Sequence, residues 1–163
     1  MIVALSVWMT LAGQGELIER TLAIVSGQVI TLSDVRLAQQ LGLLPDIDRS
    51  ADADTVLAGL IERTLMLREV ERYAPPEPAD TLVAEELDRV RSRAGSAETF
   101  NRTLQANGFT DGRLRGWIRD DLRIRSYLSQ RFAVTAAESN RQDLIADWVA
   151  DLRRRAVVVV LGR

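Results

Sequence analysis

Apolar residues recur at three- and four-residue spacing through most of the chain, and two short stretches break that rhythm. Thr21–Val25 is rich in β-formers, Ser26-Gly27-Gln28 reads as a turn, and Val29-Ile30 resumes an extended chain. At the other end, Ala156–Leu161 (Ala-Val-Val-Val-Val-Leu) reads as a strand. The residues between read as helices. Thr31 and Ser33 both fit the N-cap of a helix over Asp34–Leu43, which Gly42 brings to its end. Pro45–Asp54 is polar and acidic and reads as a loop. Thr55–Tyr73 predicts a helix with Leu57, Leu60, Ile61, Thr64, Leu67 and Val70 on one face. Ala74–Pro78 stops it, because proline cannot continue a helix.

Asp80 fits the cap of a third helix that buries Val83, Leu87 and Val90 and ends at Gly95. Ser96 opens a short helix striped by Phe100 and Leu104, which Asn107-Gly108 terminates. Thr110 or Asp111 opens a long helix to Phe132, with Leu114, Trp117, Ile118, Leu122, Ile124 or Arg125, and Leu128 along its stripe. Ala133–Ala137 is a short break. Glu138–Arg155 closes the helical part, with Ile145, Trp148, Val149 and Leu152 on one face. Arg153-Arg154-Arg155 complements the dipole at its C-terminus.

This pattern predicts a mainly α fold with a small sheet made from the short strands at the two ends of the chain. An isolated strand is unstable in water, so Leu22–Val25 and Val29–Ile30 are expected to pair with Val157–Leu161. An unpaired valine run is an aggregation hazard. A terminal strand that pairs with distant sequence can also pair with another copy, so a homodimer by end-strand exchange is an expected possibility. At 163 residues the chain suits a single domain, taken here as 16–163.

The first fifteen residues stand apart. They carry no charge, and Ile2–Ala12 is apolar except for Ser6 and Thr10. The run is shorter than the ~20 residues of a membrane-spanning helix. It resembles the apolar part of an export signal, with cleavage after Ala12 or Gly15, although no Arg or Lys precedes it. A retained anchor or a buried N-terminal element fits it too.

Composition narrows the chemistry. The 21 basic residues are all Arg, and the chain has no His and no Cys. It therefore has no thiolate nucleophile, no Cys or His metal site, no Ser-His-Asp triad and no Schiff-base lysine. Catalysis would rest on carboxylates, hydroxyls, Tyr and Arg alone, so an enzyme is not expected, and neither is a cofactor. A net charge of -2 argues against a general polyanion binder. Asp46, Asp48, Asp52 and Asp54 lack the spacing of a calcium loop. Asp120-Asp121 and Glu85-Glu86 are adjacent on helices and diverge by ~100°, so neither makes an acid–base pair. No metal site is expected. Ser33 and Asp34 read as a helix cap rather than as a nucleophile.

The run Leu22-Ala-Ile-Val-Ser-Gly-Gln-Val-Ile-Thr-Leu-Ser-Asp-Val35 resembles the opening strand, turn and capped helix of the SurA-type periplasmic chaperones. The second helix, with Leu60-Ile61 through Glu69-Val70, the course from Phe100 through Gly108 to Phe132, and the closing Ile145–Val160 resemble the same family. The resemblance covers residues 18–161 and lies in the order of elements rather than in one sharp motif. Family members usually carry a parvulin prolyl isomerase domain before the closing helix. Ala133–Ala137 leaves no room for one, and the parvulin site is built around histidines that this chain lacks.

The resemblance thus implies a SurA-like chaperone core without isomerase activity, exported to the periplasm, that holds unfolded envelope or outer-membrane proteins. Such a protein needs apolar side chains at the rim of a groove. Leu37, Leu41, Leu44, Tyr73, Phe109, Trp117 and Tyr127 are the candidates for client binding, and each also fits ordinary core packing. Arg113, Arg115, Arg119, Arg123 and Arg125 on the long helix are candidates for attracting acidic clients, or a solvated helix face. Two other classes stay open. One is an envelope adaptor that binds a single partner in the same groove. The other is a nucleic-acid binder using the basic helix, which the acidic overall charge and the lack of an aromatic cluster disfavour, so no nucleic acid is expected.

Overall fold

The computed structural model describes residues 19–132 and 138–161. The expected export segment at 1–15 and the break at 133–137 lie outside the described residues. Within them the chain runs β1 (Thr21–Val25), β2 (Gln28–Thr31), α1 (Leu32–Leu41), α2 (Ala53–Tyr73), α3 (Asp80–Arg93), α4 (Ala97–Ala106), α5 (Asp111–Arg131), α6 (Glu138–Arg155) and β3 (Val158–Val160). The fold is mainly α with one small antiparallel sheet, as the apolar pattern predicts.

The sheet joins the two ends of the described chain. Its order is β2-β1-β3, so β1 is central and β3 pairs with β1 alone. Ala23 faces Ile30 on one side and Val160 on the other, and Ile24 lies between Val29 and Val159. Ser26 and Gly27 take φ of 47° and 92°, the two positive values that a two-residue hairpin loop of the strand-compatible hand requires. Ala23, Val25 and Ile30 bury the inner face of the sheet against the helices. Ile24, Val29 and Val159 share the opposite face.

Helix α1 begins two residues before the expected Asp34 because Thr31, rather than Ser33, is its cap. The Thr31 hydroxyl accepts from the Asp34 backbone N–H at 3.2 Å, and the Asp34 carboxylate accepts from the Thr31 N–H at 2.9 Å. This reciprocal pair satisfies two donors that a helix start leaves open. Gly42 ends the helix at φ 60°, where a side chain would be strained. Helix α2 starts at Ala53 rather than Thr55, since the Asp52 carboxylate accepts from the Thr55 N–H at 2.7 Å. Asp80 is not a cap: Ala79 holds that place without a side-chain bond, and Asp80 is the first helical residue. Thr110 and Ser96 cap α5 and α4 as expected. The terminal strand is shorter than the valine run, covering Val158–Val160.

The predicted helix stripes form the core. Leu57, Leu60, Ile61, Thr64, Leu67 and Val70 of α2 are buried, together with Val83, Leu87 and Val90 of α3 and Leu114, Ile118 and Ile124 of α5. Trp117, Leu122 and Leu128 are partly buried at the margin. Trp148, Val149 and Leu152 seat α6. Among the described residues no helix is long and apolar enough to cross a membrane.

Candidate functional site

The loop between α1 and α2 packs against the bundle through Leu43, Leu44 and Ile47. It closes one side of a groove of about 280 Å³ whose other walls come from α2, α3 and α5. Gly59 seats the loop: a Cβ there would stand 2.4 Å from Ile47 Cδ1 and 3.1 Å from Leu44 Cδ1. The bare helix surface therefore accepts the loop side chains directly. Arg49 fixes the loop from the other side, donating to the Gln40 carbonyl and to the Arg93 carbonyl. Leu44, Met66, Ile118, Ile124 and Leu128 give the groove an apolar lining, and Asp46, Glu62, Arg93 and Arg125 add charge around it. Arg125 stands 3.7 Å from Glu86 across α3 and α5.

Deeper in the same groove, Arg63 of α2 donates to the Asp121 carboxylate of α5 at 2.6 Å and to the Trp117 carbonyl at 3.1 Å. Its guanidinium lies 4.0 Å from the centre of the Trp117 ring. Burial pushes the Asp121 carboxyl above the usual range, and the Arg63 charge and hydrogen bond pull against that shift. The Trp117 indole N–H also favours the charged Asp121 but forms no hydrogen bond of normal geometry. Asp120 is raised by burial as well, with Arg63 and Arg123 opposing. It points elsewhere and pairs with Arg123 at 3.7 Å, so the two aspartates do not converge. A carboxylate clamped by an arginine is a poor proton shuttle. The lining of the groove is mostly apolar, with charged side chains around it.

Of the residues expected to bind clients, Leu44 alone lines this groove. Leu37 and Leu41 are buried in the core, because α1 turns that stripe onto α2 and α4 rather than outwards. Phe109 is buried under the Arg113 guanidinium, 3.8 Å from its ring centre, and meets Trp117 edge-on at 6.5 Å. Tyr127 is buried between Tyr73 at 5.3 Å and Trp148 at 5.9 Å, where it ties α6 to α5. Tyr73 itself is 59% exposed at the end of α2, away from the groove. Trp117 is held beneath Arg63 as half-buried packing.

The basic row on α5 is paired with acids of its own and neighbouring elements, and Arg125, 3.7 Å from Glu86, also lines the groove. Arg113 pairs with Asp34 at 3.1 Å, Arg115 with Asp111 at 2.8 Å, and Arg119 with Asp80 at 3.3 Å. Arg123 approaches Glu77 at 3.6 Å. These contacts join α5 to α1, α3 and the proline segment, while Arg113, Arg115 and Arg119 keep 55%, 42% and 38% of their side chains exposed. The acidic loop is likewise structural: Asp48 accepts from Ser50, and Asp52 caps α2.

Sequence reasoning missed Arg63, Met66 and Gly59, and weighed Asp121 only as half of a pair with Asp120. Arg63 and Asp121 lie 58 positions apart, and only the packing of α2 on α5 brings them together. Gly59 in mid-helix was the available signal, since such a glycine marks either a cost or a close approach.

No protein-family model matches this chain, and neither does any curated protein.

Proposed function

We propose that the chain is a holding chaperone core of the SurA type, exported to the periplasm, that binds unfolded envelope or outer-membrane polypeptides without catalysis. The observation that carries this reading is the open apolar groove walled by Leu44, Met66 and Leu128, beside the loop that Gly59 seats. A client segment entering it exchanges water for apolar surface, at roughly 25 cal/mol per Å² removed from solvent. A groove of about 280 Å³ offers limited apolar contact, so binding there is weak and releasable, which suits a holder. The order of elements agrees with the family resemblance: a strand and capped helix open the fold, and a helix and strand close it against the first strand. The periplasmic assignment rests on the uncharged apolar start of the sequence.

The test is photo-crosslinking. A photoreactive amino acid replaces Met66, and a second replaces Arg36, which is exposed on the far face of α1. Each full-length chain is mixed with an unfolded outer-membrane β-barrel protein and with an unfolded soluble protein. Capture of both clients at position 66 and of neither at position 36 supports the reading. Capture of one client alone favours an adaptor dedicated to one partner. Equal capture at both positions, or none, overturns it.

A further inference from the structure

Among the described residues β3 is an uncovered edge of the sheet. Leu161 N–H donates to the Leu22 carbonyl at 2.9 Å, and Ser26 N–H donates to the Val157 carbonyl at 2.7 Å. In an antiparallel ladder the residues that face the partner alternate. Positions 157, 159 and 161 therefore turn their backbone groups to β1, and Val158 and Val160 turn theirs outwards. Among the described residues nothing lies beyond β3 in the sheet. The side chains there are unusually bare: Val157 is 71% exposed and Val160 is 54% exposed. Natural edge strands are normally blunted by charge, proline or a bulge. This one carries none of these within its three residues.

Charge gives the edge a direction. Arg153, Arg154 and Arg155 stand immediately before the strand, all exposed, with Asp151 pairing the last two. A cleft at the same end of the sheet carries both signs of charge, with Arg68, Arg72 and Arg155 beside Glu69 and Glu71, and Arg72 pairs with Glu69 there, so the exposed arginines before the strand, Arg153 above all, carry the direction. A strand laid antiparallel on β3 has its C-terminal end at these arginines.

We propose that β3 is a second binding surface, which takes an extended apolar segment of a client by strand addition, antiparallel to β3, with acidic side chains at the C-terminal end of that segment. The inference rests on the chaperone reading and deepens it by naming the kind of segment held. Backbone bonds to Val158 and Val160 supply affinity for any extended chain, and the arginines select its polarity and sequence. The groove, in contrast, reads side chains alone.

The test uses the full chain and a synthetic peptide of alternating valine and threonine, closed by two acidic residues and a C-terminal amide. A second peptide ends in two lysines and an amide, and a third has neither but keeps a free carboxylate. Peptide affinity is measured by fluorescence anisotropy, and amide hydrogen exchange by NMR. At saturating acidic peptide, exchange at Val158 and Val160 slows by at least about tenfold, while Val159, already bonded to β1, changes little. The acidic peptide binds at least about fivefold more tightly than either of the others. Val160→Pro abolishes binding without removing a bond to β1, and Arg153→Glu reverses the preference between acidic and lysine peptides.

Unchanged exchange at Val158 and Val160 overturns the proposal, as does equal affinity for the three peptides. Protection of these amides in the peptide-free chain, accompanied by a dimer in sedimentation, assigns the edge to a second copy and also overturns it. Failure here is separable from failure of the chaperone reading. Crosslinking at position 66 does not use β3, so capture there with a silent edge leaves the groove standing.

Discussion

The Arg63 guanidinium meets the Asp121 carboxylate at 2.6 Å inside the groove, with side-chain exposures of 11% and 24%. The pair pins α2 to α5, the two long walls of the site. Removing one partner from such a pair leaves the other charge in a poorly solvated place. Arg63→Ala is expected to destabilise the fold by ~2–4 kcal/mol, read as a lower urea midpoint. Asp121→Asn costs less, about 1–2 kcal/mol, because Arg63 keeps the Trp117 carbonyl and the ring beneath it.

The same carboxyl sets a pH dependence. Its value in the folded chain lies above the 3.8 of a free Asp because burial outweighs Arg63. The folded state therefore holds this proton more tightly than the unfolded state does. That contribution to stability is present below the unfolded value and is lost as pH rises through the folded value. Asp111 behaves oppositely: the hydrogen bond from Arg115 first, and the Arg91 charge after it, hold its carboxyl below 3.8, so its contribution is lost as pH falls. Urea titrations between about pH 3 and pH 7 should show a steeper rise in stability with pH for Asp121→Asn than for the parent, and a shallower one for Asp111→Asn. Parallel curves would contradict these assignments.

Thr31 and Asp34 give a third expectation. Thr31→Ala removes one half of the reciprocal cap and should cost about 1 kcal/mol. Asp34→Ala should cost more, since Asp34 also accepts from Arg113 at 3.1 Å. The double variant should cost less than the sum of the single ones, because both remove the same hydrogen bonds.

Groove and core can be separated by charge. Met66→Glu places a carboxylate on the half-buried lining beside Leu128. It should lower client capture severalfold while shifting the urea midpoint by no more than about 1 kcal/mol in stability. Leu37→Glu, in the sealed core, should prevent folding. If Met66→Glu keeps full capture, the groove is not where clients bind.

Local signals carried much of the fold. Val157–Leu161 had to find a partner, and Leu22–Val25 was the available one. Thr31, Ser96 and Thr110 announced their helices through cap chemistry that acts within three residues. Asp80 failed as a cap because an acidic first-turn residue and an N-cap look alike in sequence. The site was far less legible. Periodicity places Leu37, Leu41 and Tyr127 on an apolar stripe but does not say whether that stripe meets a helix or a groove. Arg113, Arg119 and Arg123 look like an open basic face until Asp34, Asp80 and Glu77 arrive from other elements.

The pairing of those arginines makes a further prediction. Capture by the groove should change less than about twofold when salt is raised from 0.05 to 0.5 M, since screening acts on unmatched surface charge and not on apolar burial. A steep loss with salt, followed by fluorescence anisotropy of a labelled unfolded client, would show that the exposed arginines of α5 take part in binding.

The most direct measurement is light scattering of a denatured outer-membrane β-barrel protein diluted into the full chain. An unrelated soluble client and an inert helical protein serve as controls. The account predicts suppressed aggregation of both clients near stoichiometric ratio, with the helical protein without effect. Aggregation of both clients at the same rate with and without the chain would contradict it.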